Sequence, residues 1–132
     1  MTTHGVDDSP IYRDDDDRRL FVRLLHAACD QHDFECHAWC LMTTHYHMLV
    51  GATRERLSIG FRWLNGVYAQ RFNRRHGRKG HLFGDRFWAS VVEGDHHFPA
   101  ACRYILLNPV RAGLCELPEQ WRWSGSPYGK EI

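Results

Sequence analysis

His45 and His47 stand two residues apart in the run Thr43-Thr44-His45-Tyr46-His47-Met48-Leu49-Val50. Cys40-Leu41-Met42 leads into it and Leu49-Val50 leads out, so the run reads as a β-strand. Successive strand side chains point to opposite faces, which puts His45 and His47 on one face and Tyr46 and Met48 on the other. Two imidazoles at that spacing can hold one divalent metal ion and leave coordination positions open for a substrate oxygen. A pair of ordinary half-exposed histidines satisfies the same pattern. The remaining chain must therefore supply what such a metal would need.

Tyr104 and Asn108 are four residues apart near the end of a predicted helix, so they share a helix face. Alone they read as a partly buried tyrosine and a C-terminal cap. Beside a metal they acquire roles, Tyr104 as nucleophile and Asn108 as a third, neutral oxygen ligand. A phenol is a poor nucleophile near neutral pH because its pKa is about 10. A nearby metal can make a phosphorus more electrophilic or help remove the phenol's proton.

A third group is basic: Arg71, Arg74, Arg75, Arg78, Lys79 and Arg86, interleaved with Phe72, Phe83, Phe87 and Trp88. Cations that neutralise phosphates, mixed with rings on which unpaired bases stack, suit single-stranded nucleic acid. Duplex readout would call for a helix-turn-helix or zinc finger, and neither is apparent. The competing reading is a solvated basic face with the phenylalanines in the core. The net charge of +1 conceals this patch. Residues 1–19 hold six aspartates against three arginines, whereas residues 62–88 hold seven cations against Asp85.

The elements that must position these groups follow from patterning. At 132 residues, with 43% hydrophobic and 25% charged content, one domain over residues 1–132 is expected. No apolar run approaches the roughly 18 residues that would span a membrane, and the N-terminus lacks the order of a signal peptide. The five cysteines, without CxxC spacing, read as reduced thiols in a cytoplasmic protein. Cys36, Cys40 and His37 do not make a zinc site, because strand residues four apart are separated by about 13 Å.

Asp14 to Asp17 supply the cap and first-turn acids of a helix running to about His32, with Leu20, Phe21, Leu24, Leu25 and Ala28 on its buried side. Glu35–Met42 and His45–Ala52 read as strands joined at Thr43-Thr44. A second helix spans about Leu57 to Arg75, with Leu57, Phe61, Leu64, Tyr68 and Phe72 in one apolar stripe. The loop His76-Gly77-Arg78-Lys79-Gly80-His81 precedes a strand over Arg86–Glu93. Asp95 caps a third helix over His96–Leu107, which Pro109 stops. This order predicts an α+β fold, an antiparallel sheet with helices on one face.

Several blocks resemble the REP-associated tyrosine transposases, single-tyrosine HUH endonucleases of the small insertion-sequence type. They are His45-Tyr46-His47, Leu64-Asn65-Gly66-Val67-Tyr68, Arg71-Phe72-Asn73-Arg74-Arg75-His76-Gly77, Gly80-His81-Leu82-Phe83 with Arg86-Phe87, the run Tyr104 to Leu114, and Trp121-Arg122-Trp123-Ser124. They cover nearly the whole chain in the family's order. The resemblance implies a ferredoxin-like fold whose central strand carries the histidine pair. It assigns His45, His47 and Asn108 to a Mg²⁺ or Mn²⁺ ion and Tyr104 to nucleophilic attack, giving a 5′-phosphotyrosyl link and a 3′-OH. The implied substrate is single-stranded DNA beside a hairpin, gripped by Arg71, Arg74, Arg75, Arg78, Lys79 and Arg86. The implied assembly is a monomer or homodimer. A catalytically inactive hairpin-binding derivative is the alternative.

Three departures accompany it. Thr43-Thr44 replaces the family's Pro-Asn before the histidines, and Gly84-Asp85 replaces Gln-Gly within the basic segment. The family's first strand, roughly Tyr-His-Val-Thr, is matched only by Thr3-His4-Gly5, so a truncated first strand is expected, with residues 1–12 as its remnant and turn. Residues 121–132 form a C-terminal tail of unassigned role.

Overall fold

Thr2–Gly5 forms β1, and this short strand is hydrogen-bonded on both sides. The computed structural model describes residues 2–5, 8–88 and 98–127. The first strand is short, as expected, and its four residues fill an inner position of the sheet. Gly5 ends the strand where the chain turns back on itself. A Cβ there would lie 2.2 Å from the Ser9 carbonyl oxygen, so only glycine permits the approach.

The other elements are α1 (Asp15–His32), β2 (Glu35–Leu41), β3 (His45–Gly51), α2 (Arg54–His76), β4 (Phe83–Trp88), α3 (Phe98–Leu106), α4 (Asn108–Arg111) and β5 (Ser124–Gly125). The strands form one antiparallel sheet in the order β4-β1-β3-β2-β5. The expected α+β architecture is present, and β3 lies at its centre. The fourth strand starts three residues earlier than the alternation suggested. Its expected continuation to Glu93, the Asp95 cap and the first turn of the third helix lie outside the described residues.

The helix starts are set by side chains. Asp14 accepts the Asp17 backbone N–H at 2.9 Å to cap α1, and Thr53 accepts that of Arg56 at 3.3 Å to cap α2. The stripe of α2 buries Phe61, Leu64, Tyr68 and Phe72 against Phe21, Leu24 and Leu25 of α1 and against Leu41, Tyr46 and Met48 of the sheet. Tyr46 donates to Asn65 Oδ1 at 2.8 Å and Tyr68 donates to the Ile11 carbonyl, so among the described residues two of the three buried phenols are satisfied, and the Tyr12 hydroxyl is not.

Helices on one face describes α1 and α2 only. Alternation along β2 and β3 sends Ala38, Cys40 and Leu49 to the opposite face, where Cys102 and Ile105 of α3 pack against them. That face needed a cover of its own because its strand residues are apolar too. The tail is also part of the sheet. Trp123 O accepts Leu41 N–H at 2.8 Å, and β5 pairs with Trp39 and Cys40, closing the β2 edge.

The aspartate run does more than start a helix. Asp17 is fully buried and accepts from Arg13 N at 2.9 Å, from Arg75 Nη1 at 2.7 Å and from His76 Nε2 at 2.8 Å. Arg75 also forms a forked pair with Asp14 at 2.6 and 2.7 Å. The hydrogen-bonded guanidinium of Arg75 holds the Asp14 carboxyl well below its ordinary value of 3.8. A depressed folded-state pKa contributes stability above the unfolded value, and that stability is lost as pH falls through the folded one. Resistance of wild type to urea unfolding should therefore fall progressively below about pH 4, and Asp14→Asn should flatten that decline. An unchanged slope in the variant would remove Asp14 from the account.

Candidate active site

His45 and His47 lie on the α3 face of β3. Their neighbours Tyr46 and Met48 are fully buried in the core on the other side, and Leu49 packs with α3. The two imidazole centres are 4.7 Å apart with rings perpendicular. Two imidazoles sharing one ion at about 2.1 Å, with about 90° between the bonds, would have ring centres about 4.6 Å apart. The pair therefore fits a single divalent ion. Among the described residues no cluster of three or more histidine, cysteine or acidic side chains is placed to hold a metal.

Thr44, which the sequence marked only as a change of turn, positions the pair. Its Oγ1 lies 3.1 Å from His45 Nδ1, a contact that orients the ring. The Thr44 and Thr43 carbonyls accept from Gly5 N at 2.8 Å and Ile11 N at 2.9 Å. This turn thus ties the histidine strand to the start of the chain. No spacing rule would have singled it out.

Tyr104 is 59% exposed on α3, whose Cys102, Ile105 and Leu106 face inward. Tyr12, Tyr46 and Tyr68 are each at most 2% exposed, and burial pushes all three phenols above their ordinary value. Tyr104 is thus the accessible phenol among the described residues.

Asn108 does not continue the helix of Tyr104, as the spacing suggested; it opens α4. Pro109 has no N–H for the Ile105 carbonyl, and Asn108 Nδ2 donates there instead at 3.1 Å. Its Oδ1 accepts from Arg111 Nη2 at 2.8 Å. A guanidinium on that oxygen opposes a cation at the same place, so Asn108 is engaged within the fold in this arrangement.

The basic group divides. Arg71, Arg74 and Lys79 are exposed on the last turns of α2 and the loop after it. Arg78 folds that loop on itself, donating to Asn73 Oδ1 at 3.0 Å and the His81 carbonyl at 2.8 Å. Arg75 instead hydrogen-bonds Asp14 and Asp17 and fastens α2 to α1. The Arg86, Phe87 and Trp88 side chains lie outside the described residues. Phe72 is buried, and Phe83 packs on Tyr46 and Tyr68, so these rings serve the core rather than base stacking.

Comparison with known proteins agrees with this architecture. The chain is 24% identical to a Haemophilus influenzae protein named as a REP-associated tyrosine transposase, over 79% of its own length. It spans 65% of that relative. A solved structure of a REP-associated tyrosine transposase bound to a REP hairpin superposes with a TM-score of 0.74 at 19% identity. The match covers 93% of this chain and 72% of the other, and it establishes a shared fold. The family described as Transposase IS200 like matches residues 9–108, from before α1 to the first residue of α4. The protein belongs to the IS200-like transposase family and is similar, within it, to the REP-associated tyrosine transposases.

Proposed function

We propose that the chain is a metal-dependent endonuclease and strand transferase acting on single-stranded DNA beside a hairpin, with Tyr104 as nucleophile. The observation that carries this reading is the crossing of α3 to the histidine face of the sheet, with its tyrosine exposed. The family and the hairpin-bound fold relative support the substrate class.

His45 and His47 would hold Mg²⁺ or Mn²⁺, with Asn108 joining as a neutral ligand after its bond to Arg111 is exchanged. The ion, when bound, supplies Lewis-acid polarisation of the scissile phosphate oxygens. Tyr104 Oη bonds to phosphorus as the bond from phosphorus to the 3′ oxygen breaks. The phenol proton is lost to solvent, and the departing 3′ oxygen takes up a proton. Reversal by the same or another 3′-OH rejoins the strand without an outside energy source.

The test is a labelled single-stranded hairpin oligonucleotide incubated with protein, with and without Mn²⁺, and run on a denaturing gel. A metal-dependent band shifted by the mass of the protein is expected. Hairpin binding with no adduct would favour the non-catalytic alternative. Replacing Arg71 and Arg74 together by alanine should weaken hairpin binding and lower the slope of log affinity against log salt by about 1.4. An unchanged slope would take these two arginines out of the interface.

A further inference from the structure

We infer that Arg111 is a catalytic residue, the guanidinium that grips the scissile phosphodiester while Tyr104 attacks it. This rests on the reading of Tyr104 as nucleophile. The Arg111 guanidinium carbon sits 4.1 Å from the centre of the Tyr104 ring. Its Nη2 donates to the Tyr104 carbonyl at 2.6 Å and to Asn108 Oδ1 at 2.8 Å. Three contacts therefore fix one cation against the nucleophile's ring, its backbone and the adjacent amide.

The partners that hold it are neutral. Arg19, Arg56 and Arg75 each pair with an aspartate, and their charges are compensated within the fold. Arg111 is exposed and is anchored by a carbonyl, an amide oxygen and a ring, none of which cancels its charge. Nη2 has two hydrogens, and those two bonds occupy them. When Asn108 exchanges its bond to Arg111, one Nη2 hydrogen is released, and beside the N–H of Nη1 or Nε it presents the paired edge that matches a phosphate.

Geometry names the phosphate. A phosphorus atom placed for attack lies about 3–3.5 Å from Tyr104 Oη. A guanidinium stacked on that same ring then lies within reach of the non-bridging oxygens. In the step itself the bond from phosphorus to Oη forms and the bond to the 3′ oxygen breaks. Arg111 neither gives nor takes a proton; it meets the charge that grows on the non-bridging oxygens. Such a group acts on the rate of attack more than on capture of the hairpin, which offers many other phosphates.

The experiment is single-turnover cleavage of the hairpin oligonucleotide in Mn²⁺ by wild type, Arg111→Ala and Arg111→Lys. Affinity is measured separately in a Tyr104→Phe background, and thermal unfolding is recorded for each variant. Arg111→Ala should cleave about 100-fold more slowly, with affinity within about threefold, and low millimolar guanidinium ion should restore part of the rate. Arg111→Lys keeps a charge but loses the fork, and should fall between the two. Cleavage by both variants within about threefold of wild type would overturn the inference. So would losses that follow the unfolding temperature and are untouched by added guanidinium, since these would mark a structural role. Failure of wild type to cleave would instead overturn the reading of Tyr104 itself.

Discussion

Tyr104→Phe should reduce strand cleavage by at least about 10³-fold while leaving hairpin affinity within about twofold. The substitution removes one oxygen and retains the ring on which Arg111 stacks, so α3 and its packing on Cys40 and Leu49 persist. Among the described residues no other phenol can take over. Tyr12, Tyr46 and Tyr68 are sealed in the core, and burial holds their protons more tightly than usual. Single-turnover cleavage and fluorescence anisotropy with the same oligonucleotide separate the two effects. Parallel loss of affinity would mean that Tyr104 binds DNA rather than reacting with it. Cleavage that persists in the presence of metal would assign the chemistry to water.

The second large effect concerns stability. Asp17→Asn should destabilise the fold by roughly 2–4 kcal/mol, the range for breaking a buried, hydrogen-bonded charge network. The isosteric amide removes the charge that faces Arg75 and His76. It also turns an NH₂ group toward at least one of three donors that now point at carboxylate oxygens. Equilibrium urea unfolding measures the loss. Arg75→Ala should cost less, because Arg75 is 40% exposed and water can replace part of what it gives. A change below about 1 kcal/mol for Asp17→Asn would show that this junction contributes little.

The contrast between Arg75 and Arg74 shows what patterning along the chain can reveal. Both belong to one basic run, and local sequence gives them the same reading. Only the packing of α2 on α1 brings Asp14 and Asp17, about sixty positions away, against one of them and not the other. The elements themselves were legible, because the 3.6-residue stripe of α2, the aspartate cap of α1 and the alternation around Tyr46 are local signals. The placement of His45 and His47 on one face of a strand was legible for the same reason.

What was not legible depends on contacts between distant segments. The short β1 is held by pairing on both sides rather than by its own propensity, so four residues with a glycine gave no strand signal. The crossing of α3 to the far face follows from apolar residues on both faces of β2, which the run Ala38-Trp39-Cys40-Leu41 leaves ambiguous. The break between Tyr104 and Asn108 was half visible. Pro109 predicted a helix stop, but the side-chain bond by which Asn108 takes over for the missing N–H is a geometric fact. Arg111 carries no signal beyond its charge until its ring contact is seen.

The central claim, that Tyr104 becomes joined to DNA, is tested most directly by mapping the adduct. Protein incubated with Mn²⁺ and a single-stranded hairpin oligonucleotide would be digested with protease and nuclease, and mass spectrometry would locate the residual nucleotide. The account predicts a nucleotide on the phenol of Tyr104 and metal dependence of its yield. A nucleotide on any other residue, or hairpin cleavage with no protein-linked product, would contradict it.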